Sequence, residues 1–206
     1  MPHLGHYDYL YQPGSSPTTL LLLHGTGGNE HDLLPIGQAL NPTANILSLR
    51  GNVDEHGQLR FFKRLAEGVY DLADLTLRTN QLAEFIHAVA AQHQLDLDQM
   101  TIVGYSNGAN IGLNLIINHP KLIQMGILFR PLYPLDISSS NLESLKLAIF
   151  FGQHDPIAGQ SLQPHLVESL KQRGAEVSVF DIDAGHELTN QDIDIAKTWL
   201  QQLGSI

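Results

Sequence analysis

A serine set between glycines, in Gly104-Tyr105-Ser106-Asn107-Gly108, is the residue of this chain whose surroundings best suit a nucleophile. A hydroxyl is weakly nucleophilic at neutral pH and needs a base to take its proton and a third group to orient that base. Both lie downstream: Asp155 in Gly152-Gln153-His154-Asp155-Pro156 and His186 in Ala184-Gly185-His186-Glu187. The order Ser, Asp, His is that of serine enzymes whose nucleophile occupies a strand-to-helix elbow, and other serine enzymes use other orders. Asp181, Asp183 and Glu187 compete with Asp155 to orient His186. Asp155 is preferred because it follows the penultimate predicted strand. Acyl transfer also needs N–H donors aimed at a developing oxyanion. The backbone amides of Asn107, next to the serine, and of Thr26, in His24-Gly25-Thr26-Gly27-Gly28, are the candidates, and His24 is read as a structural part of that loop.

These residues must be positioned by strands that end beside one another. Tyr7 to Tyr11 reads as a short edge strand, followed by the turn-rich Gln12 to Pro17. Thr18 to Leu23 and Asn45 to Leu49 are short apolar runs of the kind covered on both faces of a sheet. Met100 to Tyr105, Met125 to Phe129, Leu147 to Gly152 and Glu176 to Asp181 complete about seven strands. Helices are predicted over His31 to Leu40 with Asn29 as cap, Thr76 to Gln94, Asn107 to Asn118, Gln160 to Arg173 with Gly174 as its stop, and Gln191 to Leu203. Leu82, Phe85, Ile86 and Val89 form the core stripe of the second. Strands alternating with helices predict an α/β architecture, a mostly parallel sheet with helices on both faces and ligands at the carboxyl ends of the strands. Arg50 to Asp71 is the longest irregular connection and is expected to shape the ligand site. Its Phe61 and Phe62 are divided between core packing and a substrate pocket, and Arg60 and Arg64 are read as solvated more often than substrate-binding.

A chain of 206 residues supports one sizeable core, so a single domain over residues 1–206 is expected. With 43% apolar and 16% charged residues the balance is globular. A net charge of −10 argues against nucleic-acid or anionic-membrane partners. No stretch approaches the roughly 20 apolar residues of a membrane span, and Met1 to His6 lacks the pattern of a signal peptide, so a cytoplasmic location without membrane insertion is expected. The absence of cysteine agrees with that and removes thiolate chemistry. The 11 histidines are scattered. Neither His3 with His6 nor His154 with Asp155 completes a ligand set, so no metal and no cofactor are expected.

The blocks Leu23 to Gly28, Gly104 to Gly108, Gly152 to Pro156 and Gly185-His186 together resemble the α/β-hydrolase superfamily, specifically the phospholipase/carboxylesterase family that includes acyl-protein thioesterases. Arg50-Gly51-Asn52-Val53 and Arg60 to Arg64 resemble a bacterial carboxylesterase branch associated with hydroquinone and quinone stress. The resemblance implies an α/β-hydrolase fold. Thioesterase-type members usually carry Gln after the serine, where this chain has Asn107. Together with the residues, it leads to the expectation of a serine carboxylesterase, acting as monomer or homodimer on a small, uncharged or weakly polar ester, with Ser106 as nucleophile, His186 as base and Asp155 as its orienter. A thioesterase or lysophospholipase would use the same residues, and a non-catalytic binding protein on the same fold is the alternative of another class. Little or no lid is expected, Pro131 to Ser140 being the candidate segment.

Overall fold

The computed structural model describes residues 3–4, 7–66, 68–137, 141–157 and 163–204. The chain runs β1 (His3–Leu4), β2 (Tyr7–Gln12), β3 (Thr19–Leu23), α1 (Leu34–Leu40) and β4 (Asn45–Leu49), then through β5 (Val53–Glu55), β6 (Gln58–Arg60), β7 (Arg64–Ala66) and β8 (Val69–Tyr70). It continues with α2 (Leu72–His93), β9 (Met100–Tyr105), α3 (Asn107–Asn118), β10 (Met125–Phe129), β11 (Lys146–Gly152), α4 (Gln163–Gln172), β12 (Glu176–Ile182) and α5 (Asn190–Gln202).

Among the described residues, eight strands form one sheet in the order β1-β2-β4-β3-β9-β10-β11-β12, parallel from β4 to β12, with β2 antiparallel to both β1 and β4. The core divides by the two-residue period of a strand. Leu21 and Leu23 face α2 and α3 in one apolar cluster, whereas Leu20 and Leu22 join Leu40, Trp199 and Leu200 of α1 and α5 in another. This is the mostly parallel, doubly covered α/β-hydrolase sheet. From β3 the chain places β4 on one side and later β9 on the other, so strand order reverses between β3 and β9. Such a reversal splays the following connections apart and leaves a crevice. Leu23 pairs with Gly104, so the loops that begin at His24 and Tyr105 emerge together there.

Several boundaries differ from the expected ones for local reasons. The Asn29 side chain accepts from the His31 N–H in a turn, and α1 begins only at Leu34, with Pro35 in its first turn and no side-chain cap. Helix α2 starts four residues before Thr76 because Asp71 caps it through the Asp74 N–H and Leu75 extends the buried stripe. The Arg50 to Asp71 connection is organised into two antiparallel hairpins, β5-β6 and β7-β8. Of the expected 160–173 helix, residues 160–162 lie outside the described residues. No helix of the described residues is long and apolar enough to cross a membrane.

Candidate active site

Ser106 stands between β9 and α3 with φ 50° and ψ −113°, a backbone conformation L-residues avoid. The flanking glycines make this turn possible by close approach. A Cβ on Gly108 would strike the Leu23 carbonyl, and one on Gly104 would lie 2.7 Å from the Ala109 Cα. The elbow is pinned by hydrogen bonds from the Ser106 N–H to the Phe129 carbonyl and from the Asn110 N–H to the Ser106 carbonyl, both 2.9 Å.

His186 Nε2 lies 2.9 Å from Ser106 Oγ, and His186 Nδ1 lies 2.7 Å from Asp155 Oδ2. An ionised carboxylate only accepts, so Nδ1 carries the proton and Nε2 is left to accept from the serine hydroxyl. The Asp155 side chain is fully buried. Of the competing carboxylates, Asp183 is 82% exposed and paired with His154, and Glu187 turns back to the Gly185 N–H. Hydrogen bonds from its own N–H and from Gly185 hold the Glu187 carboxyl below its ordinary pKa. Asp181 is exposed.

The loop that carries His186 is held from below by residues the sequence did not single out. Arg130, at the end of β10, donates from Nε to the Gly185 carbonyl and from Nη2 to the Glu187 carbonyl, each at 3.0 Å. Its Nη1 and Nη2 also grip both carboxylate oxygens of Asp192, at 2.7 and 3.0 Å, with neither side chain exposed. Asp192 in turn closes the capping box of α5 with Thr189. The Tyr105 hydroxyl donates to the His186 carbonyl at 3.0 Å. Three successive carbonyls around the imidazole are thereby fixed. Among local sequence signals, only the position of Arg130 directly after a buried strand hinted at this.

The glycine-rich loop after β3 is equally anchored. His24 Nδ1–H donates to the Gly25 carbonyl at 2.6 Å, and Nε2 accepts from the Gly51 N–H at 2.9 Å. Burial lowers the His24 pKa, which keeps the ring in the neutral form these two bonds require. The Gly27 and Gly28 N–H groups are used by the Leu59 and Gly25 carbonyls. No protein acceptor among the described residues takes the N–H of Thr26 or of Asn107. Both side chains tie to the first hairpin's exit, since Arg60 Nη1 donates to Thr26 Oγ1 at 2.6 Å and the Phe61 N–H donates to Asn107 Oδ1 at 2.7 Å. Because native His24 resists protonation, the unfolded chain binds more protons below about pH 6.5, so stability falls with pH there. Urea midpoints at pH 7.5 and 5.5 should drop more in the wild type than in His24→Asn. An equal drop would mean that His24 titrates as it does in the unfolded chain.

Ser106, His186, Thr26 and Asn107 line a cavity of about 310 Å³ walled by Gln58, Arg60, Arg64, Tyr70, Leu132 and Ile157. Phe61 and Phe62 do not line it. Both are 0% exposed in the core, Phe61 against His24 and Phe62 against Tyr70, because the turn after β6 directs them inward. Arg60 is likewise not solvated, being 4% exposed. Within the expected lid segment, the Leu132 N–H is bound by Asn110 and the Tyr133 hydroxyl by Asn114, and Tyr70 donates to the Leu132 carbonyl. Residues 131–137 are thus packed down beside the cavity, and Ser138 to Ser140 lie outside the described residues. A slightly larger cavity, about 350 Å³, between α2 and residues 133–137 contains neither Ser106 nor His186, so size does not choose the site. No group of three His, Cys, Asp or Glu side chains among the described residues is arranged to hold a metal ion.

Comparison with known proteins agrees with this architecture. Residues 12–203 match the model of the phospholipase/carboxylesterase family. The chain is 41% identical over 195 residues to a Bacillus subtilis (strain 168) protein named as a hydrolase, MhqD, covering 94% of this chain and 98% of that one. The crystal structure of a Bacillus cereus carboxylesterase superposes with a TM-score of 0.91 at 37% identity, covering 95% of this chain and 94% of the other. A Mesorhizobium loti carboxylesterase gives a TM-score of 0.91 at 32% identity, with 95% of each chain covered.

Proposed function

The chain belongs to the phospholipase/carboxylesterase family of hydrolases, and from that premise we propose that it is a serine carboxylesterase that cleaves small carboxylic esters through an acyl-enzyme. The observation that carries this reading is the unbroken chain Ser106 Oγ, His186, Asp155, at 2.9 and 2.7 Å, opening on the cavity.

Ser106 Oγ attacks the ester carbonyl while His186 Nε2 takes its proton. Buried Asp155 stabilises the imidazolium and keeps its Nδ1–H directed, without itself becoming protonated. The free Thr26 and Asn107 amides receive the oxyanion, each such donor contributing about 3 kcal/mol. Collapse of the tetrahedral intermediate expels the alkoxide, which His186 protonates. Water, deprotonated by His186, then attacks the acyl-enzyme, the acid is released and Ser106 recovers its proton.

A cavity of about 310 Å³ with polar walls at Gln58, Arg60, Arg64 and Asn110 suits a compact ester better than a long acyl chain. Purified protein should therefore show its highest kcat/KM on short-chain esters when compared with an acyl-CoA thioester and a lysophosphatidylcholine. A thioester or lysolipid turned over faster would replace this reading with one of the other two.

A further inference from the structure

Although the chain carries a net charge of −10, the cavity that holds Ser106 has guanidinium groups in its wall. Arg60 and Arg64 both line it. Nε of Arg60 donates to the Phe62 carbonyl and Nη1 to Thr26, whereas Nη2 has no acceptor among the described residues. Arg64 is turned toward the same wall by Glu55, which accepts from Nε at 3.0 Å and faces Nη2 at 2.9 Å. That carboxylate must serve both guanidiniums, since its nearer oxygen is 3.9 Å from Arg60 Nη1.

Among the described residues the wall carries no further carboxylate. Arg130 is paired with Asp192 and donates to two carbonyls. Tyr70 is held neutral, because burial raises its pKa and its hydroxyl donates to the Leu132 carbonyl. Among the described residues, one carboxylate, Glu55, thus stands against the two guanidiniums of Arg60 and Arg64. Burial first, and the Arg64 guanidinium second, lower the Arg60 pKa, and the Glu55 carboxylate opposes them.

We infer that the preferred substrate is an ester bearing a carboxylate, held by Arg60 and Arg64 while its ester carbonyl lies at Ser106. This inference rests on the esterase reading and departs from the uncharged substrate expected from sequence. A guanidinium presents paired N–H donors that match a planar carboxylate, and such a charge-assisted contact is stronger than one between neutral groups.

The test uses two matched pairs of esters on the intact protein. Monoethyl adipate is compared with ethyl adipamate, and 4-acetoxybenzoate with 4-acetoxybenzamide, so the charge lies on the acyl side in one pair and on the leaving group in the other. In at least one pair the acid should exceed its amide in kcat/KM by about tenfold or more, and that pair identifies the side that faces the arginines. The acid-to-amide ratio should fall about tenfold in Arg60→Gln and in Arg64→Gln, chiefly through KM, and should narrow as salt rises. Since the ratio is internal, loss of folded protein does not imitate the effect, and Arg64, which is one-third exposed, gives the milder variant. Ratios within twofold of unity in both pairs, with the amides still hydrolysed, would overturn the inference and leave the esterase standing. A preference for the acid unchanged in both variants would overturn the assignment to these arginines. Failure to hydrolyse any of the four esters would overturn the esterase reading as well.

Discussion

Replacing Ser106 with alanine is expected to reduce kcat on a short aryl ester by about 10⁶-fold, the loss typical when a triad serine is removed. The residue cannot be bypassed by a neighbour, because Oγ is the atom that His186 Nε2 approaches at 2.9 Å and the elbow holds it there. A residual rate above that in buffer should persist from the Thr26 and Asn107 amides. Asp155→Asn should cost about 10⁴-fold, since an amide at this position can donate to Nδ1 and turn the imidazole to the wrong tautomer. Steady-state rates on protein normalised by folded fraction check both. A Ser106→Ala enzyme within tenfold of wild type would mean that the ester is cleaved elsewhere.

Arg130→Ala is expected to lose about 3–5 kcal/mol of stability, because it leaves the buried Asp192 carboxylate without its cation. That is a large part of the 5–15 kcal/mol typical of a whole domain. The same substitution frees the Gly185 and Glu187 carbonyls on either side of His186, so kcat should fall even at a temperature where the variant remains folded. Arg130→Lys keeps the charge but cannot span two carbonyls and a carboxylate, and should be intermediate in both respects. Urea denaturation together with kcat separates the roles. Lost stability with unaltered kcat would show that Arg130 supports α5 without positioning the imidazole.

The residues legible in the sequence were those whose meaning is local. Ser106 and the β9 to α3 elbow, the glycine-rich loop after β3 and the strands before Asp155 and His186 each combine a short apolar run with a turn, and parallel pairing of those runs brings their ends together. Leu23 opposite Gly104 is an outcome of that pairing which periodicity alone implies only in outline. Arg50 to Asp71 was not legible because its strands are two or three residues long and too short to show a period. Phe61 and Phe62 have the composition of a pocket wall and the burial of a core, and only the turn after β6 decides between them. Arg60 and Arg130 were hidden for a related reason. Their partners Thr26 and Asp192 lie 34 and 62 residues away, and a charged side chain far from its partner in sequence reads as solvated.

The account stands or falls on whether Ser106 is the activated hydroxyl. Incubation of the wild-type protein with a fluorophosphonate, followed by intact mass and peptide mapping, should give one adduct per chain, located on Ser106 and absent from Ser106→Ala. An adduct on another residue, or a protein that resists the reagent while hydrolysing esters, would contradict it.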